Sequence, residues 1–235
     1  LTEGGAGTLE TVTGLANAED SAGPCSRSSG MWAGTVTGIV LKSDPSSADI
    51  MLTAQNQTTL NVRPEAQLWN GDANGTWLTQ TSNMSAFETD SSPGALASNG
   101  NPFRTYDFAW RVSSADNTGM LVYDEDGANV NQPPHYRTWS GTDFSSESNQ
   151  EDYQTNTSSE SMFNLIKSAK YRSEYIAGRL TSDGHLNIQV WDGDSWEYGT
   201  GAPEGGTFTK SVSSTNALYR SFEIAYEGTS GNAMV

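Results

Sequence analysis

The chain is 235 residues long, enough for one or two domains with a real core. It carries 28 Asp and Glu against 12 Lys and Arg, for a net charge of −16 and an isoelectric point near 4.3. That balance repels phosphate backbones and anionic lipid, which excludes a nucleic-acid partner, and no apolar run is long enough to span a membrane. With 30 Ser, 25 Thr, 24 Gly, 23 aromatics and only 4 Lys, the composition is that of a folded β protein, neither a helical bundle nor a disordered chain.

Residues 1–35 read as an N-terminal segment distinct from the remainder of the chain. Within it, the stretch Leu9–Gly14, with Leu9 and Val12, is a candidate strand that would complete a sheet elsewhere. Cys25 is the single cysteine, so no intrachain disulfide framework exists. A chain starting at Leu1 is expected to have lost or omitted a leader. Residues 36–235 then repeat. Tyr106-Asp107-Phe108-Ala109-Trp110 matches Phe222-Glu223-Ile224-Ala225-Tyr226, and Arg stands two residues before each. A gapless shift of 57 residues sets Tyr106 on Phe163 and Asp126-Gly127 on Asp183-Gly184. A Trp-x-Gly turn closed by a second aromatic occurs three times, at Trp69 to Trp77, Trp139 to Phe144 and Trp191 to Trp196.

Units therefore begin near 39, 106, 163 and 222, spanning 39–105, 106–162, 163–221 and a partial 222–235. Alternation in Tyr106/Phe108/Trp110 is the period-2 mark of a strand, and Asp-Gly between such runs marks a hairpin. Each unit reads as four short strands. The expected fold is all-β, of antiparallel four-stranded propeller-like repeats, with a β-sandwich as the alternative. The last unit stops within its second strand, at Ala233-Met234-Val235. Three completions are open: a longer chain continues the unit, the Leu9–Gly14 stretch with Leu9 and Val12 closes the last sheet, or a neighbouring copy supplies the missing strand, which makes copies of the chain the expected partner.

The combination Tyr219-Arg220-Ser221-Phe222 through Ala233, with Asp183-Gly184 through Trp196, resembles repeats of large prokaryotic surface proteins, some of them pilin-associated. That resemblance implies an extracellular, cell-surface, structural role without enzymatic activity, such as a filament subunit or adhesin component. The Asp-Gly to Trp-x-Gly-x-x-Trp segment also resembles blades of sugar-binding propeller lectins. This second resemblance implies glycan partners and inter-blade pockets drawn from Trp139, Trp191, Trp196 and Arg137. The plainer account of these Trp side chains is packing within the blades.

Little else carries chemistry. His135 and His185 flank strands and read as turn residues, with no cysteine pair to complete a zinc site. No nucleophile elbow, zincin or P-loop pattern occurs. Asp124 and Asp126, and Asp192 and Asp194, place oxygen ligands in tight turns, which suits calcium as the one candidate cofactor. Sequons at Asn56, Asn74, Asn83 and Asn156 are what so Ser/Thr-rich a chain carries by chance.

Overall fold

The computed structural model describes residues 35–57, 62–71, 76–77, 104–112, 117–123, 134–150, 161–181, 184–197, 208–211 and 222–235. Leu9, Val12, Asp124 and Asp126 lie outside them. The described residues form fourteen strands, all paired antiparallel within their sheets.

The first sheet contains β1 (Thr35–Ser43), β2 (Ile50–Gln57), β3 (Val62–Asn70) and β4 (Thr76–Trp77) in that spatial order. The second contains β5 (Tyr106–Trp110), β6 (Gly119–Tyr123), β7 (His135–Trp139) and β8 (Ser148–Asn149). The third contains β9 (Ser161–Ser168), β10 (Tyr175–Thr181), β11 (His185–Trp191) and β12 (Phe208–Ser211). A two-stranded pair, β13 (Ala225–Tyr226) and β14 (Ala233–Met234), completes the described chain. The first strand of each sheet lies innermost, next to its counterparts, as in propeller blades. The sheets meet one after another, not as two facing layers, which removes the sandwich alternative.

Strand alternation sends each side chain to one neighbouring sheet or the other. Tyr106, Phe108, Trp110, Leu121, Tyr123 and Trp139 pack with Met51, Ala66 and Leu68 between the first and second sheets. The opposite face of the second sheet, with Ala109, Met120 and Val122, packs on Ile166, Tyr175, Ala177 and Trp196 of the third. Leu165, Ile176, Leu186 and Ile188 meet Ile224 on the far side.

These faces correct the 57-residue shift. The last pair before each hairpin is Trp110 with Gly119 in the second sheet and Ser168 with Tyr175 in the third. The first strands are thus offset by 58 residues and the second strands by 56, and 57 is only their mean. Tyr106 corresponds to Asn164, not Phe163, because a one-residue slip would turn every side chain toward the wrong neighbour. The third strands keep the expected match, since Gly119 pairs with Trp139 and Tyr175 with Trp191.

One carboxylate joins three sheets. Asp107 on β5 is fully buried. Lys42 Nζ of β1 lies 3.3 Å from Oδ1, Arg104 Nη2 lies 3.3 Å from the same oxygen, and the backbone N–H of Ile166 on β9 donates to Oδ2 at 3.1 Å. Arg104 also stands 4.6 Å over the ring of Phe163. Burial holds the Lys42 ammonium below its ordinary value, with Asp107 pulling the other way. The indole N–H of Trp110 donates to the Lys42 carbonyl at 2.7 Å, and Asn164 Nδ2 donates to the Thr105 carbonyl at 2.7 Å. These bonds tie the inner edge of each sheet to the next one.

Removing the acid would strand two cations. Asp107→Ala is expected to destabilise the chain by about 3–5 kcal/mol, as breaking a buried ion pair does, measured as a lower midpoint in urea unfolding. An unchanged midpoint would mean that the three sheets do not depend on this carboxylate.

Candidate functional site

The Trp-x-Gly turn owes its shape to glycine and its closure to paired rings. Gly141 and Gly193 adopt φ of 99° and 116°, a region open to glycine and strained for other residues. A β-carbon at Gly193 would also approach the Ser173 carbonyl oxygen to 3.0 Å. Beyond each glycine the chain returns, and Trp139 bridges Phe144 while Trp191 bridges Trp196, with ring centroids 4.9 and 5.7 Å apart.

The four residues singled out for sugar contact fall in two different seams. Trp139 is 1% exposed in the core between the first and second sheets, and Trp196 is 5% exposed in the core between the second and third. Both are packing residues in this structure. Trp191 is only partly buried, and with Tyr136 it forms the rim of the second seam, centroids 5.4 Å apart. Arg137 lies on the other face of the second sheet, in the first seam.

There it belongs to a polar cluster. Arg137 Nε donates to the Tyr123 hydroxyl at 3.0 Å and Nη1 to the Ser145 carbonyl at 3.0 Å. Nη2 lies 3.7 Å from Glu147 Oε2. The Tyr123 hydroxyl donates to that same oxygen, and His135 Nδ1 stands 3.0 Å from Glu147 Oε1. The Tyr123 and His135 rings are 5.9 Å apart and buried beneath the pair. Burial, reinforced by Glu147, pushes the Tyr123 phenol upward, so it remains a donor at every physiological pH. The side chains of Arg137 and Glu147 keep 19% and 31% of their exposure, so the charged pair reaches the surface over an aromatic floor.

Sequence reading missed Glu147, Tyr123 and Tyr136 as site residues. Glu147 sits in a polar run beside a two-residue strand and carries no pattern of its own, whereas alternation through His135, Arg137 and Trp139 does put His135 beside Arg137. The two histidines are not turn residues. His135 and His185 are the first residues of β7 and β11, and the His185 N–H donates to Thr181 Oγ1 at 3.1 Å.

Of the calcium candidates, Asp192 and Asp194 are described. Asp192 Oδ1 accepts the backbone N–H groups of Asp194 at 2.8 Å and Ser195 at 2.9 Å, a turn-closing role. Among the described residues no three acidic, histidine or cysteine side chains gather to hold a metal. Of the assembly candidates, Ala233 and Met234 form β14. They and Val235 are exposed, Met234 at 73% and Val235 at 51%.

No family model matches the chain, and no curated protein matches it. Solved structures similar to it include the Aleuria aurantia lectin in complex with α-methyl-L-fucoside, at 12% identity and a TM-score of 0.43, with 74% of this chain and 46% of the lectin covered. A further structure of that fungal lectin, described as a six-bladed β-propeller with a novel fucose recognition mode, aligns at 13% identity and a TM-score of 0.43, over 74% and 46% of the two chains. The chain thus spans about half the length of the lectin it resembles.

These placements carry two expected outcomes. Trp139→Ala should cost about 3–5 kcal/mol of stability in urea unfolding, the usual penalty for truncating a buried Trp. The second concerns Asp192, whose carboxyl is held below the ordinary carboxylate range, first by the Ser195 and then by the Asp194 N–H. A lowered carboxyl contributes stability above its unfolded pKa, and that contribution is lost as pH falls through the folded value. Asp192→Ala should therefore melt lower than the parent at neutral pH, and the gap should close in acid. Thermal melts at stepped pH give the answer; a gap that persists in acid would assign the effect to something other than the charge.

Proposed function

We propose that the protein is a non-enzymatic, extracellular carbohydrate-binding protein that engages a glycan at the outer rim of the seam between its first and second sheets. The observation that carries this reading is the partly exposed Arg137–Glu147 pair standing over the Tyr123 and His135 rings. Adjacent hydroxyls of a sugar each donate and accept, and a guanidinium beside a carboxylate offers donors and an acceptor within the width of one sugar ring. Side chains locked by one another hold that arrangement before a ligand arrives, which lowers the entropic cost of binding.

Glu147 faces Arg137, His135 and a phenol that stays protonated. This suits a fixed acceptor. Glycoside hydrolysis instead needs two carboxylates opposed across the bond to be broken. The Tyr136–Trp191 rim of the next seam supplies a second flat apolar surface, suited to the C–H face of a neighbouring sugar. The net charge of −16 favours neutral glycans over sulfated or carboxylated ones.

A glycan array with the purified chain tests this directly. Binding should concentrate on neutral glycans. Arg137→Ala and Glu147→Gln should each weaken it at least about tenfold, the worth of one charge-assisted hydrogen bond, with circular dichroism showing the fold retained. No binding by the parent chain, or full binding by both variants, would overturn the assignment.

A further inference from the structure

The inner strands are of two kinds, and they alternate. β1 and β9 both end in Lys-Ser, Lys42-Ser43 and Lys167-Ser168, each directly before the N–H that closes the hairpin, Asp44 to the Asp49 carbonyl and Ala169 to the Glu174 carbonyl. β5 and the strand leading into β13 share an acid at the matching position, Asp107 and Glu223. Each Lys reaches the acid of the next inner strand, Lys42 to Asp107 at 3.3 Å and Lys167 to Glu223 at 3.7 Å. The chain thus uses one two-sheet unit twice. The contact between units, β5 against β9, is of a different kind, and the described residues contain it once.

That contact has a polar and an apolar half. The Ile166 N–H, which points away from β10, donates to the Asp107 carboxylate at 3.1 Å. The Ile166 side chain is fully buried and shares a core with Ala109. Both halves recur at exposed positions on the flanks of the described structure. Leu41 holds the place of Ile166 on β1 and is 58% exposed, with Ile39 beside it also at 58%. Glu223 and Ala225 hold the places of Asp107 and Ala109; Ala225 is exposed and the Glu223 side chain is 52% exposed.

We propose that the β13 flank of one copy docks on the β1 flank of a second copy, repeating the β5–β9 contact between chains. The Glu223 carboxylate accepts the Leu41 N–H of the second copy, and Leu41 packs on Ala225. A second copy fits because it brings both complementary halves in the spacing the chain already uses internally: an acid for a strand-edge N–H, and an alanine for a branched apolar side chain. The two patches differ, so the contact is head-to-tail. Each copy carries the same large negative charge, so added salt strengthens the association by screening their repulsion.

Sedimentation analysis of the intact chain across the micromolar range provides the test. The expected mass exceeds the 25.2 kDa of one chain and rises with ionic strength. Leu41→Asp and Glu223→Lys should each reduce it to a single chain. Mixing the two variants should restore a pair, because one contributes an intact Glu223 flank and the other an intact Leu41 flank. Circular dichroism identifies any variant that fails to fold, and Leu41→Ser and Glu223→Gln then serve as milder replacements. A parent chain that stays at 25.2 kDa at every concentration and salt level overturns the proposal, as does an assembly indifferent to both substitutions or a mixture that does not pair.

Discussion

A carboxylate removed from water is costly unless its neighbours replace what water supplied. Asp107 finds its replacements on three different segments: Lys42 on β1, Arg104 just ahead of its own strand, and the backbone of Ile166 on β9. None of the three sheets can satisfy it alone. The cost of burying the charge is therefore offset only when all three have assembled, which links their order to one another. The same geometry occupies inner-edge N–H and carbonyl groups that would otherwise invite pairing with foreign strands. The rest of the architecture depends on this centre, since fixing the inner strands sets which face of each sheet meets which neighbour.

Once those faces are set, the roles of the aromatic residues separate. Trp139 and Trp196 close their turns and disappear into cores, while Trp191 and Tyr136 stop short at the outer rim. Arg137 alternates with Trp139 along β7, and one step of that alternation toward the strand's start is enough to bring it out of the core and against Glu147. The candidate site is what remains accessible where a tightly filled seam opens outward. Its side chains are held by the packing beneath them and by one another.

Much of this was legible in the sequence. Alternation in Tyr106/Phe108/Trp110, glycine in the Trp-x-Gly turns and Asp-Gly punctuation all report local backbone requirements, and the strands appear where they point. The inter-sheet faces were harder to see. The shift of 57 aligned similar residues, such as Tyr106 with Phe163, while the chain had changed its hairpin length and rotated the face. Asp107 looked like the polar member of an alternating strand because nothing local reveals that Lys42, 65 residues earlier, would reach it. Glu147 was invisible for the same reason: its meaning comes from partners on β6 and β7. In both cases the sequence carried the residue and the tertiary pairing carried its role.

The hairpins between inner and second strands bear on how such a chain changes length over time. The hairpin closed by Arg111 and Thr118 encloses two more residues than those closed by Asp44 and Asp49, Ala169 and Glu174, or Glu227 and Asn232. Losing one residue from each side of a hairpin preserves the cross-strand partners and the outward and inward faces. Losing a single residue would slip the pairing register by one and turn one strand's side chains to the opposite face, presenting Asn, Arg and Lys where a core is required. Insertions and deletions in these hairpins should therefore survive selection in pairs.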